Sequence, residues 1–133
     1  MAGYSATSQA RKLGLKPGLR FDAVAAPAGW DLDEPPPLDA AAEGTGSADV
    51  LLHFVRSAAE IPSAVESAAP RIFPAGALWV AWPRKAAGHV SDVSENAVRD
   101  AAVARGLVDV KVAAIDEDWS GLKVVWRKEH RKS

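Results

Sequence analysis

The chain has 133 residues, a formal net charge of −1 and no cysteine. Its length predicts a single domain over residues 1–133 that buries roughly two-thirds of the surface of the unfolded chain. The lack of cysteine excludes disulfides and thiolate metal ligands, and the near-zero charge argues against bulk electrostatic binding of nucleic acid. No apolar run approaches the ~20 residues of a membrane-spanning helix, and residues 1–9 lack an apolar signal segment. We therefore expect a cytoplasmic protein without membrane contact.

Strand and helix patterns alternate along the chain, which is the order expected of an α/β fold. The runs 50–55 and 77–82 are almost wholly apolar, as is typical of central parallel strands that are covered on both faces. Gly14 and Gly106 each follow a helical pattern in the position where a left-handed backbone ends a helix. The predicted helices are 5–13, 63–73 and 93–105, and the predicted strands are 19–26, 50–55, 77–82, 108–112 and 122–127.

Three pairs of residues have the spacing of a capping box, in which a side chain at the helix start bonds the backbone of its partner. They are Ser57 with Glu60, Ser63 with Glu66, and Asp92 with Glu95. Pro62 forbids one smooth helix from Ser57, because its ring would clash with the carbonyl four residues earlier. We therefore expect the second helix to begin near Ser63 and the third to open at Asp92.

The segment 27–47 is rich in proline, glycine and acidic residues and predicts a long loop with one helical turn at 38–42. Acidic side chains also dominate the overlapping range 31–49, whereas 128–133 forms a basic tail. Both charged segments are expected to be solvated, and docking of a protein partner is the alternative.

The segment PAGALWVAW at residues 74–82 leads from a glycine turn into a central strand. A helix, the strand around GLVDV at 106–110 and a terminal hairpin follow, and the final turn is too short for a crossover helix. This order resembles the C-terminal half of class I S-adenosylmethionine-dependent methyltransferases, and LGLKPG at 13–18 resembles the lead-in to their first strand. The resemblance implies a small Rossmann-like, three-layer α/β sheet of about five strands, with order 1-2-3-5-4 and the last strand antiparallel.

Four further segments stand in a recognisable order along the chain: KLGLKPG at 12–18, WVAWPRK at 79–85, GLVDVKV at 106–112 and IDEDWSGLK at 115–123. Together they resemble the bacterial family called domain of unknown function 3052, and this closer resemblance covers nearly the whole chain. It implies no particular function.

The methyltransferases end their first strand in an acidic residue and a glycine-rich turn that lets the backbone approach the cofactor. Here the turn reads AAPAGW at 25–30, with one glycine and no carboxylate. The segment 27–47, where the second strand of the methyltransferases would stand, lacks a counterpart of that strand. We therefore expect no cofactor, S-adenosylmethionine included. The lost strands would leave 19–26 as a sheet edge, which either 27–47 or a second copy of the chain would cover.

Ligands of open α/β sheets bind outside the carboxyl ends of the parallel strands. That rule selects the candidate ligand-binding residues Trp30, Arg56, Ser57, Trp82, Arg84, Lys85 and His89. Arg84 and Lys85, close to Ser91 and Ser94 before the next helix, suit a small anion such as phosphate or carboxylate. A solvated loop beside a core tryptophan is the alternative.

The remaining polar residues predict no catalytic site. No two histidines have metal-binding spacing, and no serine stands in a nucleophile elbow. His53 lies in the most apolar strand, where a core histidine is expected. Trp79 and Trp82 stand three apart in one strand and should face opposite sides.

The lead hypothesis is a non-catalytic, methyltransferase-like domain that binds a protein partner or a small anion. One alternative is a reduced transferase-type enzyme with Trp82, Arg84, Lys85 and His89 around a pocket, which a closed, apolar pocket would favour. The other is a homo-oligomeric structural protein, such as a homodimer, that uses the exposed sheet edge.

Overall fold

A computed structural model describes residues 9–32, 35–40 and 46–131 of the chain. The helices are α1 (Gln9–Lys12), α2 (Ile61–Ile72) and α3 (Glu95–Ala104). The strands are β1 (Arg20–Val24), β2 (Asp39–Ala40), β3 (Val50–Phe54), β4 (Ala77–Pro83), β5 (Leu107–Ala114) and β6 (Trp119–Trp126). Residues 5–8 of the first predicted helix lie outside the described residues. In the described ranges, no helix combines the length and the apolar character needed to cross a membrane.

The strands form one sheet in the order β2-β1-β3-β4-β6-β5. β1, β3 and β4 are parallel, whereas β6 runs antiparallel to both β4 and β5. The five longer strands therefore have the predicted order 1-2-3-5-4 with the last strand antiparallel. This confirms the predicted α/β sheet.

The short strand β2 was not predicted, since the sequence indicated a helical turn at 38–42 and no second strand. Asp39 N donates to Leu19 O over 2.9 Å, and Gly18 N donates to Pro37 O over 2.9 Å. The prediction was wrong at these residues because the free backbone groups along β1 offer partners that an isolated turn lacks. The segment thus covers the sheet edge at the start of β1, in line with one version of the edge hypothesis.

The sheet separates two apolar cores, one on each face. The helix face is covered by α2 and α3 and buries Leu78, Val80 and Trp82 of β4. The opposite, N-terminal face is covered by the segment around α1 and by the loop that follows β1. Trp79 is fully buried on the N-terminal face. The two tryptophans of β4 therefore face opposite sides, as strand alternation predicts.

α2 begins at Ile61, two residues before the predicted start at Ser63, with Pro62 in its first turn. The first N–H groups of a helix have no intrahelical acceptor, so a residue without an N–H loses nothing there. The ring clash that Pro causes arises only further along a helix. Pro62, which we expected to prevent a helix from beginning before Ser63, is therefore part of the first turn of α2.

α3 begins at Glu95, and its N-cap is Ser94, whose hydroxyl accepts a bond of 3.1 Å from Ala97 N. The sequence predicted that Asp92 opens this helix. Asp92 Oδ1 instead accepts from Ala58 N over 2.7 Å and joins the start of α3 to the turn before α2. Both residues are good caps, and the position of the neighbouring turn decides between them.

Candidate anion-binding site

A cleft of about 310 Å³ lies on the helix face at the carboxyl end of β4. Its lining residues are Trp82, Arg84, Lys85, Ala86, Val93, Ser94, Glu95 and Ser120. The structure thus brings together three of the candidate residues, Trp82, Arg84 and Lys85. Trp82 is only 7% exposed and forms an apolar wall, while the two cations stand at the rim.

Arg84 follows β4 directly and is held by the turn between β5 and β6. Arg84 N donates to Asp118 O over 2.8 Å, and Arg84 Nη1 donates to Glu117 O over 3.3 Å. Both acceptors are backbone carbonyls, so they orient the guanidinium without neutralising it. Among the described residues, no carboxylate forms an ion pair with Arg84.

Lys85 lies in the 3-10 turn that follows Arg84, and its exposed side chain has no ion-pair partner in the described part of the chain. The amino end of α3 forms the facing wall, where free N–H groups and the helix dipole favour an anion. Glu95 is the one acidic residue in the lining. Its carboxylate pairs with Arg99, which also bonds Asp109 over 3.0 Å. One guanidinium thus serves two carboxylates, so the negative charge of Glu95 in the cleft is only partly compensated.

His89 is placed outside the cleft lining. Its Nε2 lies 2.9 Å from Asp118 Oδ1, and both side chains are exposed. Gly88, with a φ of +88°, turns the chain back toward the β5–β6 turn. His89 therefore fastens the loop that carries Lys85 rather than facing the space beside Trp82.

Arg56 and Ser57 follow β3, the strand beside β4. Arg56 Cζ lies 5.5 Å from the centre of the Trp119 ring, which is a cation–π contact on the N-terminal face. The Ser57 hydroxyl donates to Glu60 Oε2 over 2.8 Å, and Arg56 N donates to the same atom over 3.1 Å. The Ser57 bond above all, with the Arg56 bond, lowers the pKa of Glu60 against the opposing effect of burial. The Arg56 guanidinium forms no ion pair within the described ranges.

Trp30 packs on the core instead of standing open to solvent. Its ring centre lies 5.1 Å from that of Phe54, and the Trp119 ring lies 4.9 Å from Phe54 on another side. Trp30 Nε1 donates to Asp116 Oδ2 over 3.3 Å. These rings occupy the carboxyl ends of β1 and β3 on the N-terminal face.

The carboxyl ends of β1 and β3 form the topological switch point of the sheet. The loop after β1 packs on the N-terminal face, whereas α2, which follows β3, packs on the helix face. Chains that leave neighbouring strands in opposite directions create the crevice where ligands of open α/β sheets bind. Ala25, which follows β1, has a φ of +60°, a conformation that favours glycine. Trp30 fills the crevice, and the cleft beside β4 stays open.

His53 lies on the helix face of β3 and is half-buried, less enclosed than the predicted core histidine. Burial lowers the pKa of His53, Glu60 opposes that shift, and Arg71 adds to it. His53 is separate from the cleft beside β4. Within the described ranges, no group of three histidine or acidic side chains is arranged to hold a metal ion.

Sequence reasoning missed Ser120 and Glu95 as parts of the cleft. Ser120 lies in β6 and pairs with Trp82 across the antiparallel ladder, so it reaches the same face. The predicted antiparallel pairing carried this signal, but the exact register was needed to use it. Glu95 was assigned to a capping box, and its place in the lining follows from the start of α3.

The fold and the cleft define an open α/β domain with a cationic cleft at the carboxyl end of a central strand. The chain belongs to the family described as protein of unknown function (DUF3052), whose model matches residues 10–128. That range includes every segment on which the family resemblance rested, so the family prediction is confirmed. No curated protein matches the chain.

Proposed function

We propose that this protein is a non-catalytic binding domain that takes a small anion, a phosphate or a carboxylate, in the cleft beside β4. The observation that carries the proposal is the presence in one cleft, beside the amino end of α3, of two cations that have no carboxylate partner among the described residues, Arg84 and Lys85. Charge-assisted hydrogen bonds from such groups are about twice as strong as neutral ones.

The pairing of other arginines supports this choice. Several described arginines have a carboxylate within ion-pair distance. Arg56 and Arg84 follow neighbouring parallel strands, and their guanidinium groups have no ion pair among the described residues: that of Arg56 lies over a ring, and that of Arg84 bonds a carbonyl oxygen. The paired residues are Arg20 with Asp49, Arg71 with Asp22, Arg99 with Glu95, Arg105 with Glu66 and Arg127 with Glu129. An exogenous anion would supply the missing charge at this edge of the sheet.

We further propose that the domain keeps a methyltransferase-like fold but lacks the features that bind the cofactor of those enzymes. A dinucleotide-like or S-adenosylmethionine-like cofactor needs room at the switch point and backbone that approaches it closely. Trp30, which packs on Phe54, occupies the space at the switch point, and β1 has no carboxylate residue at its carboxyl end. These features support a domain that binds no such cofactor.

Binding is a better account of the cleft than the transferase-type alternative. That alternative needed a closed pocket on which Trp82, Arg84, Lys85 and His89 converge. The cleft is open, and the His89 ring is engaged by Asp118 on the far side of its loop. His89 therefore does not face a ligand held by Lys85, as that alternative requires.

Isothermal titration with pyrophosphate, inorganic phosphate and citrate tests the proposal at matched ionic strength. Lys85→Ala should weaken binding of the tightest anion about tenfold, because a lost charge-assisted hydrogen bond is worth about 1.5 kcal/mol or more. Lys16→Ala is the matched control, since Lys16 is an exposed cation before β1, at the opposite edge of the sheet.

Arg56→Ala tests whether the anion binds on the N-terminal face, where the Arg56 side chain lies, or in the cleft on the helix face. If binding depends on Lys85 and not on Arg56, the anion sits in the cleft alone. Equal loss with Lys16→Ala would show non-specific charge screening and contradict the site. The absence of heat with all three anions would reject the proposed function.

A further inference from the structure

The described end of the basic tail is fixed against the body of the protein. Arg127 N donates to Gly106 O over 3.1 Å, and Arg131 Nε donates to Trp126 O over 2.8 Å. The His130 ring centre lies 6.4 Å from that of Trp126. A Cβ at Gly106 would come within 3.1 Å of His130 Cδ2, so the tail sits tightly on this glycine. Residues 128–131 are exposed to solvent, and these contacts fix their position on the surface of the protein.

This arrangement holds like charges together on one corner of the molecule. Arg127 pairs with Glu129 over 3.4 Å, and Arg105, next to Gly106, pairs with Glu66 over 2.9 Å. Lys128 and Arg131 have no ion pair within the described residues. The corner therefore carries excess positive charge, and holding like charges close together is unfavourable unless an anionic group approaches.

An aromatic side chain lies beside these cations. Phe73 follows α2, is 36% exposed, and meets Trp126 edge to face with ring centres 5.4 Å apart. Trp126 Nε1 donates to Ala69 O over 2.9 Å, which fixes the indole. Rigid aromatic rings next to arginine are enriched where proteins bind other proteins.

We infer that this C-terminal corner, made of Phe73, Trp126, Lys128, His130 and Arg131, docks an acidic segment of a protein partner. Carboxylates of the partner pair with Lys128 and Arg131, and an apolar side chain covers Phe73. A protein segment is favoured over nucleic acid because the basic residues form one small corner, not a stripe that follows a phosphate backbone. The chain as a whole also has a formal charge of −1.

The corner and the anion cleft lie at opposite ends of the strands of the sheet. β6 runs antiparallel to β4 and pairs Val125 with Ala77, so the end of β6 lies at the amino end of β4. The cleft lies at the carboxyl end of β4. The two sites are therefore separate, and a partner at the corner leaves the cleft accessible.

Fluorescence anisotropy with a labelled octaglutamate peptide that carries one central phenylalanine tests the inference on the full chain. Binding should weaken about tenfold in Lys128→Glu, which reverses a charge at the corner, and should fall between ~50 and ~300 mM NaCl. Phe73→Ala should also weaken peptide binding relative to the wild type, because the apolar contact of the peptide is lost. Lys16→Glu is the same charge reversal at an exposed position before β1, three strand positions away from β6, and it should bind as the wild type does. Far-ultraviolet circular dichroism verifies that each variant folds.

Three outcomes would overturn the inference. The first is no peptide binding by the wild type, and the second is an equal loss in Lys128→Glu and Lys16→Glu. The third is tighter binding of a thymidine oligonucleotide than of the peptide, which would make the corner a nucleic-acid site. Lys85→Ala separates this proposal from the anion cleft, because it should leave peptide binding unchanged. Peptide binding that depends on Lys85 and not on Lys128 would contradict the corner as the docking site.

Discussion

Gly121 of β6 lies at one of the most closely packed points of the N-terminal face. A Cβ at this position would stand 2.7 Å from Ile115 Cδ1, 3.0 Å from Ile115 Cγ1 and 3.1 Å from Trp79 Cε3. Ile115 and Trp79 are fully buried. Interiors are packed as densely as organic crystals, so neither side chain has free space to move into.

We expect Gly121→Ala to lower the free energy of unfolding by about 2 kcal/mol. Carbon atoms attract each other best at about 3.5–4.0 Å, so the new methyl group would overlap its neighbours by roughly 0.5–1 Å. Forcing an extra methyl group into a packed core costs about 1–3 kcal/mol. For a domain of this size the change corresponds to a drop in Tm of about 6–10 °C.

Ile115→Val provides a compensating change, because it removes Cδ1, the atom nearest to the new methyl group. Alone it should cost about 1 kcal/mol, but in the Gly121→Ala background it should recover part of the lost stability, because the contacts to Ile115 Cγ1 and Trp79 Cε3 remain. Urea unfolding of the wild type, both single variants and the double variant, followed by tryptophan fluorescence, measures the coupling. Additive losses in the double variant, or an unchanged midpoint in Gly121→Ala, would refute the packing argument.

Two further predictions concern a titrating group and a helix cap. Because burial lowers the pKa of His53 in the folded protein, its contribution to stability is present above the unfolded pKa and is lost as pH falls toward the folded value. His53→Gln should therefore reduce the fall in urea midpoint between pH 7.5 and pH 5.5, about one unit on either side of the usual histidine pKa, and equal falls would contradict this. Ser94→Ala should cost about 1 kcal/mol by removing the α3 cap, whereas Ser94→Asp should restore stability but repel pyrophosphate from the cleft. Calorimetry showing wild-type affinity in Ser94→Asp would place the anion elsewhere.

The sequence by itself determined the α/β class of the sheet and the antiparallel pairing of its last two strands, whereas the full strand order was implied by the resemblance to methyltransferases. The two apolar runs could only be buried as central strands, and the short turn at 116–121 forced β5 and β6 to run antiparallel. Trp79 and Trp82 had to face opposite sides because strand side chains alternate. Arg84 and Lys85 could be placed at the edge where ligands bind because they follow a central parallel strand. These features depend on local periodicity and on chain length, which the sequence states directly.

Tertiary structure alone decided which hydrogen-bond or ion-pair partner a residue uses where the sequence offers several equivalent ones. Asp92 and Ser94 are both good caps, and Asp92 bonds Ala58 N because the fold brings the turn before α2 to it. The residues at 39–40 form a strand because β1 offers unpaired backbone groups beside them. Whether a cation is neutralised, as Arg71 is by Asp22, or is left without a carboxylate among the described residues, as Arg84 is, likewise depends on contacts between distant elements. Such contacts are set by the packing of the whole chain, and no local pattern encodes them.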